Sequence, residues 1–173
     1  MYDFDFDRIV SNYSVGIQDY TLQPGIEGVC VQNIDRYNDE TGNFTELLRM
    51  NKCSIDLAQV NYSELSSFAV KAFHIHKTQT DIIFVPPSSK VLLILIDLRN
   101  REGHTQRGVL GDCKSQLVTV PPGVAHGFKN LLDCPASLIY FVDRYFTDNE
   151  EECEEYRMPA DYFGDDIWYE MTE

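Results

Sequence analysis

Three of the chain's four histidines, His74, His76 and His126, fall in two short stretches. The first, residues 70–77, reads Val-Lys-Ala-Phe-His-Ile-His-Lys. In an extended strand side chains alternate between faces, so His74 and His76 project the same way with Ala72, backed by Phe73 and Ile75. Two imidazoles aimed into one space suit a metal site or acid–base chemistry, because imidazole both ligates metals and titrates near neutral pH. The second stretch, residues 120–130, reads Val-Pro-Pro-Gly-Val-Ala-His-Gly-Phe-Lys-Asn. Its Pro-Pro-Gly turn sets His126 at the start of the next strand, a rigid support for a functional side chain. His104 lies in the polar residues 99–108 and reads as a loop histidine.

The elements that must hold these histidines read as short strands. Period-two or apolar runs mark strands at 25–33, 68–76, 82–85, 90–97, 117–120 and 137–142. Residues 38–43 are turn-rich, with a returning strand at 44–50, and 54–59 suits a short helix or irregular chain. Pro-Pro-Ser-Ser at 86–89 and Pro-Pro-Gly at 121–123 are stop signals, since proline donates nothing to a central ladder. Many short strands separated by turns predict an all-β sandwich or barrel. After 146 the character changes. Thr147 or Asp148 is suited to cap a short helix carrying Glu150 and Glu151 in its first turn. Glu154 and Glu155 extend an acidic face read as solvated. Trp168 and Tyr169 are expected to dock back on the barrel.

At 173 residues, with 43% hydrophobic and 24% charged residues, the chain suits one soluble domain. Its net charge of −14 argues against nucleic acid or an anionic membrane surface as partner. The five cysteines are scattered, odd in number and without a C-x-x-C pair, which suits reduced thiols in the cytoplasm. The strongly apolar run 91–96 is too short to span a bilayer, and no signal-like segment opens the sequence.

A series of short motifs then resembles one family. Gln59-x-Asn61-x-Ser63 is followed by Lys71-x-x-His74 and Asp97-Leu98-Arg99. Next come Val120-Pro-x-Gly-x-Ala-His-Gly-Phe128 and Leu138-Ile-Tyr140, with Tyr145 beyond. This order resembles the dTDP-4-dehydrorhamnose 3,5-epimerases over residues 25–146, and Gly42-x-Phe44-x-Glu46 is similar to a further segment of that family. The resemblance implies a cupin, a jelly-roll β-barrel, with short helical segments, a 1–24 N-terminal extension and a 147–173 acidic tail. It implies a homodimer with N-terminal strands reaching the partner's sheet, acting without a cofactor on a nucleoside-diphosphate 4-keto-6-deoxy sugar. Carried across by position, His74 falls on the catalytic base and Tyr140 on the proton donor. Phe44, Glu46, Gln59 and Asn61 fall on substrate-holding positions, and Lys71 and His126 are placed to meet an enolate oxygen. A 4-keto group acidifies neighbouring carbons, so a base removes one proton and an acid on the opposite face returns it with inversion.

The chain also departs from that pattern. Lys71-Ala72-Phe73-His74 stands where the family has Arg-Gly-Leu-His, and Leu93 where it has an acid. The segment that supplies the carboxylate orienting the base is not recognisable, leaving Asp81, Asp97 and Asp143 as candidates. His74-Ile-His76-Lys77 is instead similar to the sugar-nucleotide 3,4-ketoisomerases, which implies a substrate role for His76 and Lys77. Metal-binding cupins offer a further reading, with His74, His76, Asp81 and His126 as ligands for iron, manganese, nickel or zinc. A non-catalytic sugar-nucleotide-binding cupin completes the alternatives.

Overall fold

A computed structural model describes residues 25–99, 103–149 and 152–169; the 1–24 extension and Glu150 and Glu151 lie outside them. Five antiparallel strands make one sheet in the order β1 (Cys30–Asn33), β9 (Gln116–Val120), β6 (Asp81–Phe84), β11 (Ala136–Val142), β4 (Gln59–Leu65). A second sheet runs β12 (Glu155–Arg157), β5 (Val70–His76), β10 (Val124–Asn130), β7 (Lys90–Asp97), β8 (Thr105–Gly111). Among the described residues, strands β2 (Arg36–Asp39) and β3 (Gly42–Thr45) pair only with each other, as a separate hairpin.

The two sheets face each other, and strand alternation sorts their side chains. Leu93 and Leu95 of β7, Phe128 of β10, Val118 and Val120 of β9 and Leu138 of β11 fill the interior. The opposite faces are covered too. Leu92, Ile94 and Ile96 of β7 pack outward with Phe73, Ala125 and Trp168. Ile82, Phe84, Leu117 and Phe141 pack under Ile34, Leu47, Leu48 and Ile55. Burial on both faces explains why 91–96 reads as a continuous apolar run rather than an alternating one.

Several sequence expectations meet a different chain here. The short helix expected after Thr147 or Asp148 falls on Glu150 and Glu151, outside the described residues; further on, Glu155–Arg157 joins β5 as an edge strand and a short 3-10 turn occupies Asp165–Trp168. The returning strand spans only Gly42–Thr45, closed by a turn in which Asp39 accepts from Thr41 and Gly42. Residues 54–58 are irregular, and a short 3-10 turn occupies Met50–Lys52. Strands β4 and β8 were not anticipated, because their exposed faces carry mixed polar residues. Trp168 docks as expected, 6% exposed and 5.1 Å from Phe73, whereas Tyr169 stays in solvent.

Candidate active site

Strand β5 delivers the two imidazoles, but not by simple alternation. Opposite β10, His74 pairs with His126 while Lys71 pairs with Phe128, so β5 carries one extra residue between them. That bulge shifts the parity of the strand. Lys71, His74 and His76 therefore line the interior, while Ala72, Phe73 and Ile75 pack outward with Trp168. The expectation that Ala72 shares the imidazole face is corrected by this bulge. Gly127 accommodates it: a Cβ there would lie 2.6 Å from Ala72 and 2.8 Å from Trp168. The Pro-Pro-Gly turn is tied to the same strand, the Gly123 amide donating to the His76 carbonyl at 2.9 Å.

Two adjoining cavities of about 340 and 310 Å3 open at this end of the barrel and share Gln59, Asn61, His76, Gln79 and Glu155. The inner one holds His74, Lys71, Tyr140, Asp81 and His126; the outer one adds Arg144, Tyr145 and Thr147. Gln59 is fixed on both sides, donating to Asn61 at 2.6 Å and accepting from the Phe146 amide. Lys71 donates to Ser63 at 3.2 Å and lies 6.0 Å from the Tyr140 ring centre.

The protonation states suit proton transfer. Burial, then the neighbouring His126, pushes the half-buried His74 down to about 4, so its imidazole is neutral at pH 7. Burial, then the Asp81 charge, holds the Tyr140 phenol above its ordinary range, so it carries its proton. The Tyr140 hydroxyl is buried and makes no hydrogen bond of good geometry, though Ser63 is beside it. A neutral imidazole and a protonated phenol thus line one cavity.

None of the three candidate aspartates contacts His74. Asp97 is bound by Arg99 at 2.8 Å, and Asp143 accepts from the Thr80 amide at 2.9 Å. Asp81 lies instead between the other two histidines, its Oδ2 3.6 Å from His76 Nε2 and 3.4 Å from His126 Nε2. Burial raises the Asp81 carboxyl, but contact with His76 and the charges of His126 and His76 outweigh it and hold it below its ordinary value. Burial pushes His126 down. The carboxylate whose charge acts on His74 is Glu155, part-buried on β12 and held by Arg157 at 2.7 Å. Sequence reasoning had assigned Glu155 to a solvated acidic face. An acidic run broken only by Cys153 carries no signal that one member turns inward, so only the β12–β5 pairing reveals it.

The remaining expected residues are not brought to this cavity. Phe44 is 64% exposed on the separate hairpin, Glu46 pairs with Arg49 at 2.5 Å, and Lys77 points to solvent. Of the four residues read as metal ligands, His76, Asp81 and His126 offer donor atoms within 4.8 Å of one another; His74 stands outside that group.

The folded chain is similar to solved sugar-nucleotide enzymes. Against a dTDP sugar isomerase of Desulfovibrio desulfuricans G20 the TM-score is 0.71 at 25% identity, covering 79% of this chain and 87% of the other. The RmlC epimerase of Legionella pneumophila, solved with dTDP-4-keto-L-rhamnose, gives 0.67 at 20% identity over 80% and 77%. The barrel is thus an RmlC-like cupin. Residues 23–161 match the dTDP-4-dehydrorhamnose 3,5-epimerase model, and the chain belongs to that family of isomerases. A curated relative, the spore coat polysaccharide biosynthesis protein SpsL of Bacillus subtilis, is 32% identical over 140 residues, 79% of this chain and 91% of its own. A probable low-salt glycan biosynthesis epimerase, Agl13 of Haloferax volcanii, is 27% identical over 143 residues.

Proposed function

We propose that the chain epimerises a nucleoside-diphosphate 4-keto-6-deoxy sugar at C3, C5 or both, with His74 as base and Tyr140 as acid. The observation that carries this reading is the pairing, in one cavity, of a neutral imidazole with a protonated phenol. His74 removes the proton alpha to the carbonyl, and the electron pair moves into an enolate. Tyr140 returns a proton to the same carbon from the other face. Lys71 supplies a positive charge for the enolate oxygen. Glu155 stabilises the imidazolium that forms on His74.

Gln59 and Asn61 hold the sugar, and Arg144 and Arg157 at the cavity walls suit the diphosphate in an otherwise acidic chain. Phe44 and Glu46 fit the same function in a homodimer, where the detached β2–β3 hairpin reaches the partner's cavity. No helix among the described residues is long and apolar enough to cross a membrane. The reading is of one cytoplasmic domain serving cell-surface or secondary-metabolite sugar biosynthesis, and proton removal by His74 with proton return from Tyr140 asks for no cofactor.

The test is to incubate the protein with dTDP-4-keto-6-deoxyglucose in heavy water and follow the sugar by NMR. Deuterium at C3 or C5 with inversion supports epimerisation. Migration of the carbonyl to C3 would instead show a ketoisomerase, and binding without exchange a module that has lost catalysis.

A further inference from the structure

We infer that His76, Asp81 and His126 form a site for one divalent first-row transition-metal ion in the floor of the catalytic cavity. This stands apart from the proton-transfer reading, which uses His74 and Tyr140. The three side chains come from β5 and β10, paired in one sheet, and from β6 of the facing sheet, and His76, Asp81 and His126 are 7%, 3% and 2% exposed. Rigid strands thus converge two imidazoles and one carboxylate on a single interior point.

The distances favour an ion over direct hydrogen bonds. His76 Nε2 and His126 Nε2 lie 3.6 and 3.4 Å from the same oxygen, Asp81 Oδ2. Hydrogen bonds to nitrogen run about 2.7–3.2 Å. Two ligands of one ion, each bonded at about 2.0–2.2 Å, stand roughly 3–3.5 Å apart.

The surroundings fit as well. The other oxygen of Asp81 accepts from Gln79 at 2.6 Å, which orients the carboxylate and leaves Oδ2 turned to the imidazoles. Ligating carboxylates are commonly held by such an outer partner. His126 Nδ1 sits against the Val124 carbonyl, without good hydrogen-bond geometry. A proton on Nδ1 leaves Nε2 as a lone pair facing Oδ2, two acceptors with a cation's place between them. No lysine or arginine forms an ion pair with Asp81 among the described residues, so only the two imidazoles, or an ion held with them, balance this buried carboxylate. Two imidazoles with one carboxylate select manganese, iron, cobalt, nickel or zinc over magnesium or calcium. Because His74 and Tyr140 line the same cavity, the ion's open positions would face a substrate oxygen there.

The experiment uses tag-free full-length protein, stripped with chelator and dialysed against Co2+. The inference predicts about one Co2+ per chain with visible d–d absorption, displaced by Zn2+ and not by Mg2+. Asp81→Asn and His126→Gln should each weaken Co2+ binding more than about tenfold, while His74→Ala retains it. Should the buried variants unfold, pulsed EPR of Cu2+-loaded wild type counts the bound imidazoles; two support the site, and none or one overturns it. Substoichiometric Co2+ in wild type, or stoichiometric Co2+ unchanged in both folded variants, also overturns it. Loss of sugar exchange in His74→Ala with Co2+ binding retained bears on the proton-transfer reading alone.

Discussion

Lys71 and His74 lie three residues apart on one strand and nevertheless face the same cavity. The extra residue of the β5 bulge, set opposite Gly127, is what brings them together. Gly127→Ala should therefore act on both at once. The added methyl would stand closer to Ala72 and Trp168 than van der Waals contact allows, and overpacking of this kind costs about 1–3 kcal/mol. Urea unfolding should show that loss, and kcat/KM should fall although Gly127 touches no substrate. Unchanged stability would mean that the bulge yields freely.

Trp168 closes the outer face behind the bulge. It packs on Phe73, and its indole donates to the Ala160 carbonyl at 2.8 Å. Lys129 and Arg107 bind the carbonyls of residues 167–169 and pin the segment down. Trp168→Ala should cost about 3–5 kcal/mol, read as a lowered denaturation midpoint.

The pH dependence follows from His74. Its folded value of about 4 lies below the ordinary 6.5, so the unfolded chain takes up the proton first as pH falls. Its contribution to stability is complete above pH 6.5 and declines towards pH 4. Asp81, held below its ordinary 3.8, adds a loss in the same direction at still lower pH. Activity, which needs neutral His74, should keep its acid limb in kcat/KM well below 6.5. An acid limb at or above 6.5 would contradict this.

Glu155 raises the proton affinity of His74, against burial and His126. Glu155→Gln should move the acid limb further down and lower kcat, since the imidazolium loses its counter-charge. A purely structural Glu155 would leave the limb in place.

How far these features were legible depended on how local they were. The β7 run, the Pro-Pro-Gly turn and the His126 strand are encoded by neighbouring residues, and they fold as read. The ordered motifs 59–63, 71–74 and 138–140 led to the cupin family. The β5 bulge was illegible because a one-residue insertion in a ladder depends on the partner strand, here on Gly127. Glu155 was illegible because edge-strand pairing is non-local. Asp81 is one of three candidate partners that the sequence offers for His74, yet its position on β6 places it between His76 and His126.

The central claim is that His74 takes the proton and Tyr140 returns it. The most direct measurement is solvent-deuterium incorporation into a dTDP-linked 4-keto-6-deoxy sugar by wild type, His74→Ala and Tyr140→Phe, followed by NMR. Wild type should incorporate deuterium at C3 or C5 with inversion, and His74→Ala should lose about 10²–10⁴-fold of the exchange rate. Tyr140→Phe should still exchange the proton but form little inverted product. Wild-type exchange rates in a folded His74→Ala variant would contradict the account.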